Sequence, residues 1–142
     1  MKRLFIDSSV LFSAAYSTRG YARELILMAV REEVILVVSP LVLDETRRNL
    51  AESAPETLDL LDLLVKAIPF EYAYPNKDEV LSAAQHVALK DAPILAAAKK
   101  AQADLLVTHD KKHLLGNSKA DVYLGARIVN PKDAVESLKP SA

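Results

Sequence analysis

The chain has 142 residues, 51% apolar and 26% charged, and its 18 basic and 19 acidic side chains leave a net charge of −1. That length suits one domain able to bury a real core, and the composition excludes a disordered chain. Near-neutral charge excludes nucleic-acid binding by bulk positive charge, so any such contact needs a local basic rim. The absence of cysteine removes disulfides and thiolate metal sites. No apolar run approaches the roughly 20 residues of a membrane helix. The start, "MKRLFIDSSV", reaches Asp7 after only three apolar residues, too few for a signal-peptide core. A cytoplasmic chain with no membrane partner is expected, with one domain over 1–138 and a frayed tail over 139–142.

The first strand is predicted at Arg3 to Ile6, with a helical stretch after Ser9. A turn at Ser17 to Gly20 precedes a helix over Tyr21 to Arg31. The continuous β-branched run "VILVV" (Val34 to Val38) reads as a buried strand. Ser39 then caps a helix that has Pro40 at its first position. Another helix is expected from Glu56 to Ala67, and a short strand within "IPFEYAYP", weakened by Pro69. Asn76 or Asp78 caps a helix running to about Leu89. Asp91 opens the next, with Ile94, Leu95, Ala98 and Ala101 on one face. Leu105 to Val107 and Arg127 to Val129 are strands, and Pro131 to Leu138 closes the domain as a helix. Strands alternating with helices predict an α/β architecture with a parallel sheet covered on both faces, whose ligands bind beyond the carboxyl ends of the strands.

Four acids fall near that edge. Asp7 directly follows the first strand, and Asp110 follows "LLV" after two residues. Asp104 precedes the same strand, on the opposite edge. Along the helix from Pro40, Val42, Leu43, Thr46 and Leu50 form the inward stripe. Glu45 borders that stripe, whereas Asp44 points to water. Asp91 lies three and four residues before Ile94 and Leu95, at the tip of a buried face. Each has a plainer reading: Asp7 and Asp91 as helix caps, Glu45 as a partner of Arg48 or Asn49, Asp110 as a turn residue. Together they make a different case. Two carboxylates about 5 Å apart repel by roughly 3 kcal/mol at an effective dielectric near 20. Four on one edge therefore call for a hard divalent cation, with oxygen ligands. Such a site suits phosphodiester hydrolysis, where the cation neutralises phosphate charge and supplies the attacking water. Arg47, Arg48, Lys111 and Lys112 then fit a phosphate-facing rim, although any one of them alone reads as solvated surface. His109 and His113 stand four apart but lack a matching third zinc ligand, and His86 reads as a residue at the border of the core.

The stretches "LFIDSSVLFSA", "VVSPLVLDETRRNL", "KDAPILAAAKKAQADLLVTHDKKHLL" and "ARIVNPKDAVE" together resemble the PIN-domain family, in the family's order and over nearly the whole chain. The resemblance implies a three-layer α/β/α fold with a central, mostly parallel sheet of four or five strands. It implies a metal-dependent ribonuclease, and many members are toxins of toxin–antitoxin pairs. Asp7, Glu45, Asp91 and Asp110 match the acidic cluster, and Thr108 the hydroxyl that precedes its last acid. Ser9 stands where many members carry asparagine, and His109 where a small residue is frequent. The expected activity is endoribonuclease chemistry with Mg²⁺ or Mn²⁺ held by Asp7, Asp91 and Asp110, and by Glu45 directly or through water. Ser9 and Thr108 orient the ligands. RNA is the expected substrate, an antitoxin protein a possible partner, and the leucine-rich segment Glu56 to Ala67 a dimer surface. The alternatives are a non-catalytic PIN-like binding module and a haloacid-dehalogenase-type phosphohydrolase. The second lacks its second acid, since Asp7 is followed by Ser8 and Ser9. A receiver domain is disfavoured because "VILVVSP" ends in Ser39.

Overall fold

A computed structural model describes residues 1–139; of the expected frayed tail, residues 140–142 lie outside the described residues. Strands β1 (Arg3–Ile6), β2 (Ile35–Val38), β3 (Glu71–Tyr72), β4 (Leu105–Val107) and β5 (Arg127–Val129) pair in the order β3-β2-β1-β4-β5, every pair parallel. Among the described residues eight α-helices connect and cover them: α1 (Ser8–Tyr16), α2 (Tyr21–Val30), α3 (Pro40–Ser53), α4 (Leu58–Ala67), α5 (Lys77–Ala83), α6 (Ala92–Lys100), α7 (Ser118–Leu124) and α8 (Pro131–Leu138). Helix α1 packs on α2, α3 and α4, with α8 against α2, while α5, α6 and α7 pack as a second group. The result is the expected three-layer α/β/α arrangement. Both sheet faces are covered, so the strands carry apolar side chains without alternation. Leu4, Phe5, Ile6, Leu36 and Leu106 are fully buried.

The connections dictate where a ligand can sit. From β1 the chain steps outward to β2 and β3, then returns across the sheet to β4 and β5. The strand order therefore reverses between β1 and β4, and an α/β sheet opens a crevice at such a switch point. The first residue beyond each long strand is polar: Asp7 after β1, Ser39 after β2, Thr108 after β4 and Asn130 after β5. Asp7, Ser39 and Asn130 each cap the following helix by accepting a backbone N–H.

Three elements differ most from expectation. The helix expected from Glu56 starts as a 3-10 turn at Pro55–Thr57 and becomes α-helical only at Leu58. The helix expected to reach Leu89 stops at Ala83. There the chain tightens into shorter-range bonds, Gln85 N–H to Ser82 C=O and His86 N–H to Ala83 C=O. His86 stacks on Tyr123, with ring centroids 4.6 Å apart, so a tertiary contact overrides the helical pattern. The third difference is α7, a helix not foreseen. It is capped by Asn117 and ended by Gly125, whose φ of 73° is the left-handed conformation that glycine adopts cheaply.

At the start of α5, Asn76 and Glu79 form a reciprocal capping box, with both bonds at 2.8 Å. Asn76→Ala is expected to destabilise the fold by about 1 kcal/mol, read as a lower urea midpoint with an unchanged slope.

Candidate metal centre at the sheet's carboxyl edge

Asp7 follows β1, and its side chain is almost wholly buried. Its Oδ1 accepts from the Ser9 hydroxyl at 2.6 Å and from the Val10 N–H at 3.2 Å, and its Oδ2 accepts from the Thr108 hydroxyl. Asp7 is thus both a helix cap and a fixed carboxylate. Burial raises its pKa, opposed by the bonds from Ser9, Thr108 and Val10 and by the charge of His109. Thr108 is completely buried, and its oxygen also accepts the Asp110 N–H at 3.0 Å. One hydroxyl therefore ties the acid after β1 to the acid after β4. Ser9 adds a second tie, accepting the His109 N–H at 3.2 Å.

Asp110 sits in a turn. Its Oδ1 accepts the N–H groups of Lys112 and His113, both at 3.0 Å. The Oδ2 faces the His113 Nδ1 at 3.5 Å, and the same nitrogen lies 3.9 Å from the Asp91 Oδ2. One ligand atom from each of Asp91, Asp110 and His113 falls within 4.8 Å of the others. Asp91 does not use its side chain to cap α6, and its Oδ2 is buried with no hydrogen-bond partner. Burial raises the Asp91 pKa, and the like charges of Asp110 and Glu45 raise it further against Lys90 and His113.

Glu45 borders the buried stripe of α3, and its Oε2 accepts the Ser8 hydroxyl at 2.9 Å rather than pairing with Arg48 or Asn49. Nothing in the sequence marks Ser8, which fixes Glu45. It offers His113 only beside His109, without a third zinc ligand; in the structure His113 joins the acids instead, signalled by the spacing Asp-x-x-His within a turn. Of the four acids, the structure brings Asp91 and Asp110 into one tight group with His113. Asp7 is linked to Asp110 through Thr108, and Glu45 stands at the margin, held by the residue after Asp7. Among the basic residues, Arg47 is paired with Asp62 at 2.6 Å. Arg48, Lys111 and Lys112 are exposed and make no side-chain ion pair among the described residues. His109 does not meet His113 in a metal pair; its Nε2 lies 3.3 Å from the Ser13 hydroxyl.

A hard cation fits this donor set. An unpartnered buried carboxylate oxygen, a second carboxylate oxygen and an imidazole nitrogen lie within 4.8 Å of one another, and the repulsion between the acids is opposed only in part by Lys90 and His113.

Fold and site together define a three-layer α/β/α domain with an acidic cluster at the switch point of a parallel sheet. The model of the PIN domain matches residues 3–112, and the chain belongs to the PIN-domain family, whose members are generally of nuclease type and typically use divalent metals. No curated protein gives a significant sequence match. Among solved structures, PAE2754 from Pyrobaculum aerophilum is similar with a TM-score of 0.66 and 18% identity, over 96% of this chain and 95% of that one. FitAcB from Neisseria gonorrhoeae gives 0.58 at 16% identity, over 91% and 98%. FitAB bound to an IR36 DNA fragment gives 0.59 at 15%, over 98% of each. At these identities the likeness concerns the fold.

Proposed function

We propose that the chain is a metal-dependent endoribonuclease that hydrolyses RNA phosphodiester bonds. The observation that carries this reading is the convergence of Asp91, Asp110 and His113, beside Asp7 and Glu45, at the switch-point crevice. Asp91, Asp110 and His113 would hold the cation directly. Asp7, locked by Thr108, Ser9 and the start of α1, completes the negative edge, and Glu45 reaches it from α3 under the hold of Ser8. When bound, the cation supplies Lewis acidity toward the phosphodiester and the water that attacks it. Arg48, Lys111 and Lys112 hold neighbouring phosphates; Arg47 serves only if it leaves Asp62. Incubating a mixed RNA pool with Mg²⁺, Mn²⁺ or EDTA tests the reading. Cleavage that needs the cation and disappears in Asp7→Asn supports it, and cation-independent cleavage by both proteins overturns it.

The imidazole favours a transition-metal ion, since nitrogen donors suit such ions better than Mg²⁺. Mn²⁺ is therefore the preferred cofactor. His113→Gln is expected to weaken Mn²⁺ binding by about tenfold while changing Mg²⁺ binding little, as measured by calorimetric titration. Equal losses for both ions would contradict it.

A role as the toxin of a toxin–antitoxin pair rests on the family resemblance. A homodimer rests on apolar surface: Leu63 on α4 is 63% exposed, and Tyr16 on the adjoining α1 is 59% exposed and stacked on Phe12. Leu63→Glu is expected to shift sedimentation from dimer to monomer; a wild type that sediments as a monomer refutes this surface. Among the described residues no helix is long and apolar enough to cross a membrane.

A further inference from the structure

Beside the acidic edge, between the start of α2, the turn after β4 and the start of α8, lies a cleft of about 350 Å³. Arg19, Lys111 and Lys132 line it, together with Tyr21, and no carboxylate does. This is a local inversion of charge in a chain of net charge −1. Four cations elsewhere are held by carboxylates: Arg3 by Glu71, Arg31 by Glu24 and Glu33, Arg47 by Asp62, and Lys100 by Glu79. The three cleft cations make no ion pair among the described residues. Ser13 and His109 form a shared wall between this cleft and an open groove of about 540 Å³ that runs past Ser9 and Phe12. Ser9 is the residue that holds the Asp7 carboxylate. The two hollows thus make one trough along the acidic edge, with an aromatic ring and three free cations on one side.

We infer that the cleft is a subsite for single-stranded RNA flanking the reactive phosphate, with Arg19, Lys111 and Lys132 on backbone phosphates and Tyr21 as a platform for one base. Unpaired cations track a phosphate backbone, and an exposed ring stacks on any base without reading its sequence. The trough passes Ser8 and Ser9, which hold Glu45 and Asp7, and its exposed ring suits a single strand, whose bases are free to stack, rather than a duplex. The choice of RNA as ligand rests on the ribonuclease reading. Binding measured without turnover separates the failure of one from the failure of the other.

The test is fluorescence anisotropy of a short 5′-labelled oligouridine with the purified protein in EDTA, across a range of salt. Tyr21→Ala is expected to weaken binding by at least about fivefold through lost stacking. Arg19→Ala and Lys132→Ala should each lower the slope of log affinity against log salt by about 0.7. Lys2→Glu, just before β1 at the opposite edge of the sheet, should leave affinity unchanged. Circular dichroism of each variant controls for folding. Wild-type affinity and slope in the three cleft variants would overturn the subsite and leave the cleft to an acidic peptide. An equal loss in Lys2→Glu would overturn it too, since binding would then follow diffuse charge. A wild type that fails to bind the probe also overturns it.

Discussion

Asp91→Asn is expected to reduce metal-dependent cleavage by about a thousandfold or more and, at neutral pH without metal, to raise the melting temperature. The two effects have one origin. Asp91 places a carboxylate oxygen in a buried position with no hydrogen-bond donor, facing Asp110. A cation held there lowers the barrier by several kcal/mol, and every 1.36 kcal/mol is about a factor of ten in rate. Without the cation the same charge is a burden. Its pKa stands above the ordinary 3.8, first because of burial and then because of Asp110. A carboxyl that binds its proton more tightly in the fold favours the folded state at low pH. That advantage is lost as pH rises through the raised value. The metal-free protein should therefore melt higher as pH falls through the raised value toward the ordinary 3.8. Asp7 is shifted in the same direction, so Asp91→Asn should flatten this dependence without erasing it. Added Mn²⁺ should stabilise the wild type by mass action and leave the variant nearly unmoved. Thermal melts at several pH values, with and without Mn²⁺, check all three points. A variant less stable than the wild type at neutral pH would contradict the account.

Thr108→Val should destabilise the protein by about 3 kcal/mol and lower its melting temperature by roughly 10 °C. Valine keeps the shape and removes the hydroxyl. The Asp7 Oδ2 loses its donor and the Asp110 N–H its acceptor, at a residue with no solvent exposure. Each orphaned polar group costs about 1–3 kcal/mol, more when charged. Thr108→Ser keeps both bonds and deletes only a buried methyl, so it should cost about 1 kcal/mol. Activity separates the two readings of such a loss. Well below the melting temperature, the valine variant should still cleave poorly, because the acids after β1 and β4 are no longer tied, while the serine variant should cleave nearly as the wild type does. A valine variant that melts within a few degrees of the wild type would show that the bond contributes little.

Much of the frame is legible because it rests on short-range rules. Strand runs such as Leu4–Ile6, Ile35–Val38 and Leu105–Val107 are apolar throughout, as strands buried on both faces must be. The residues that follow them are polar, and Asp7 and Ser39 cap helices. The carboxyl edge, and with it Asp7 and Asp110, follows from strand ends alone. Glu45 and Asp91 follow from helical geometry, each three or four residues from buried apolar positions.

What escapes the sequence depends on distant contacts. His113 lies in an irregular turn with no period to read, and its meeting with Asp91 depends on how α6 approaches the loop after β4. The pairing of Arg47 with Asp62 joins α3 to α4 across 15 positions, and nothing local reveals that this cation is engaged. The short α7 buries only Ala120 and Leu124, too few to mark a stripe, although Asn117 and Gly125 bracket it as caps. The basic cleft gathers Arg19, Lys111 and Lys132 from three separate segments, so only folding makes them neighbours.

The most direct measurement of the central claim is a calorimetric titration of metal-free wild type, Asp91→Asn and Asp110→Asn with Mn²⁺. A saturable site is expected in the wild type and is lost in both variants. Undiminished Mn²⁺ binding in either variant would contradict a metal centre built on Asp91, Asp110 and His113.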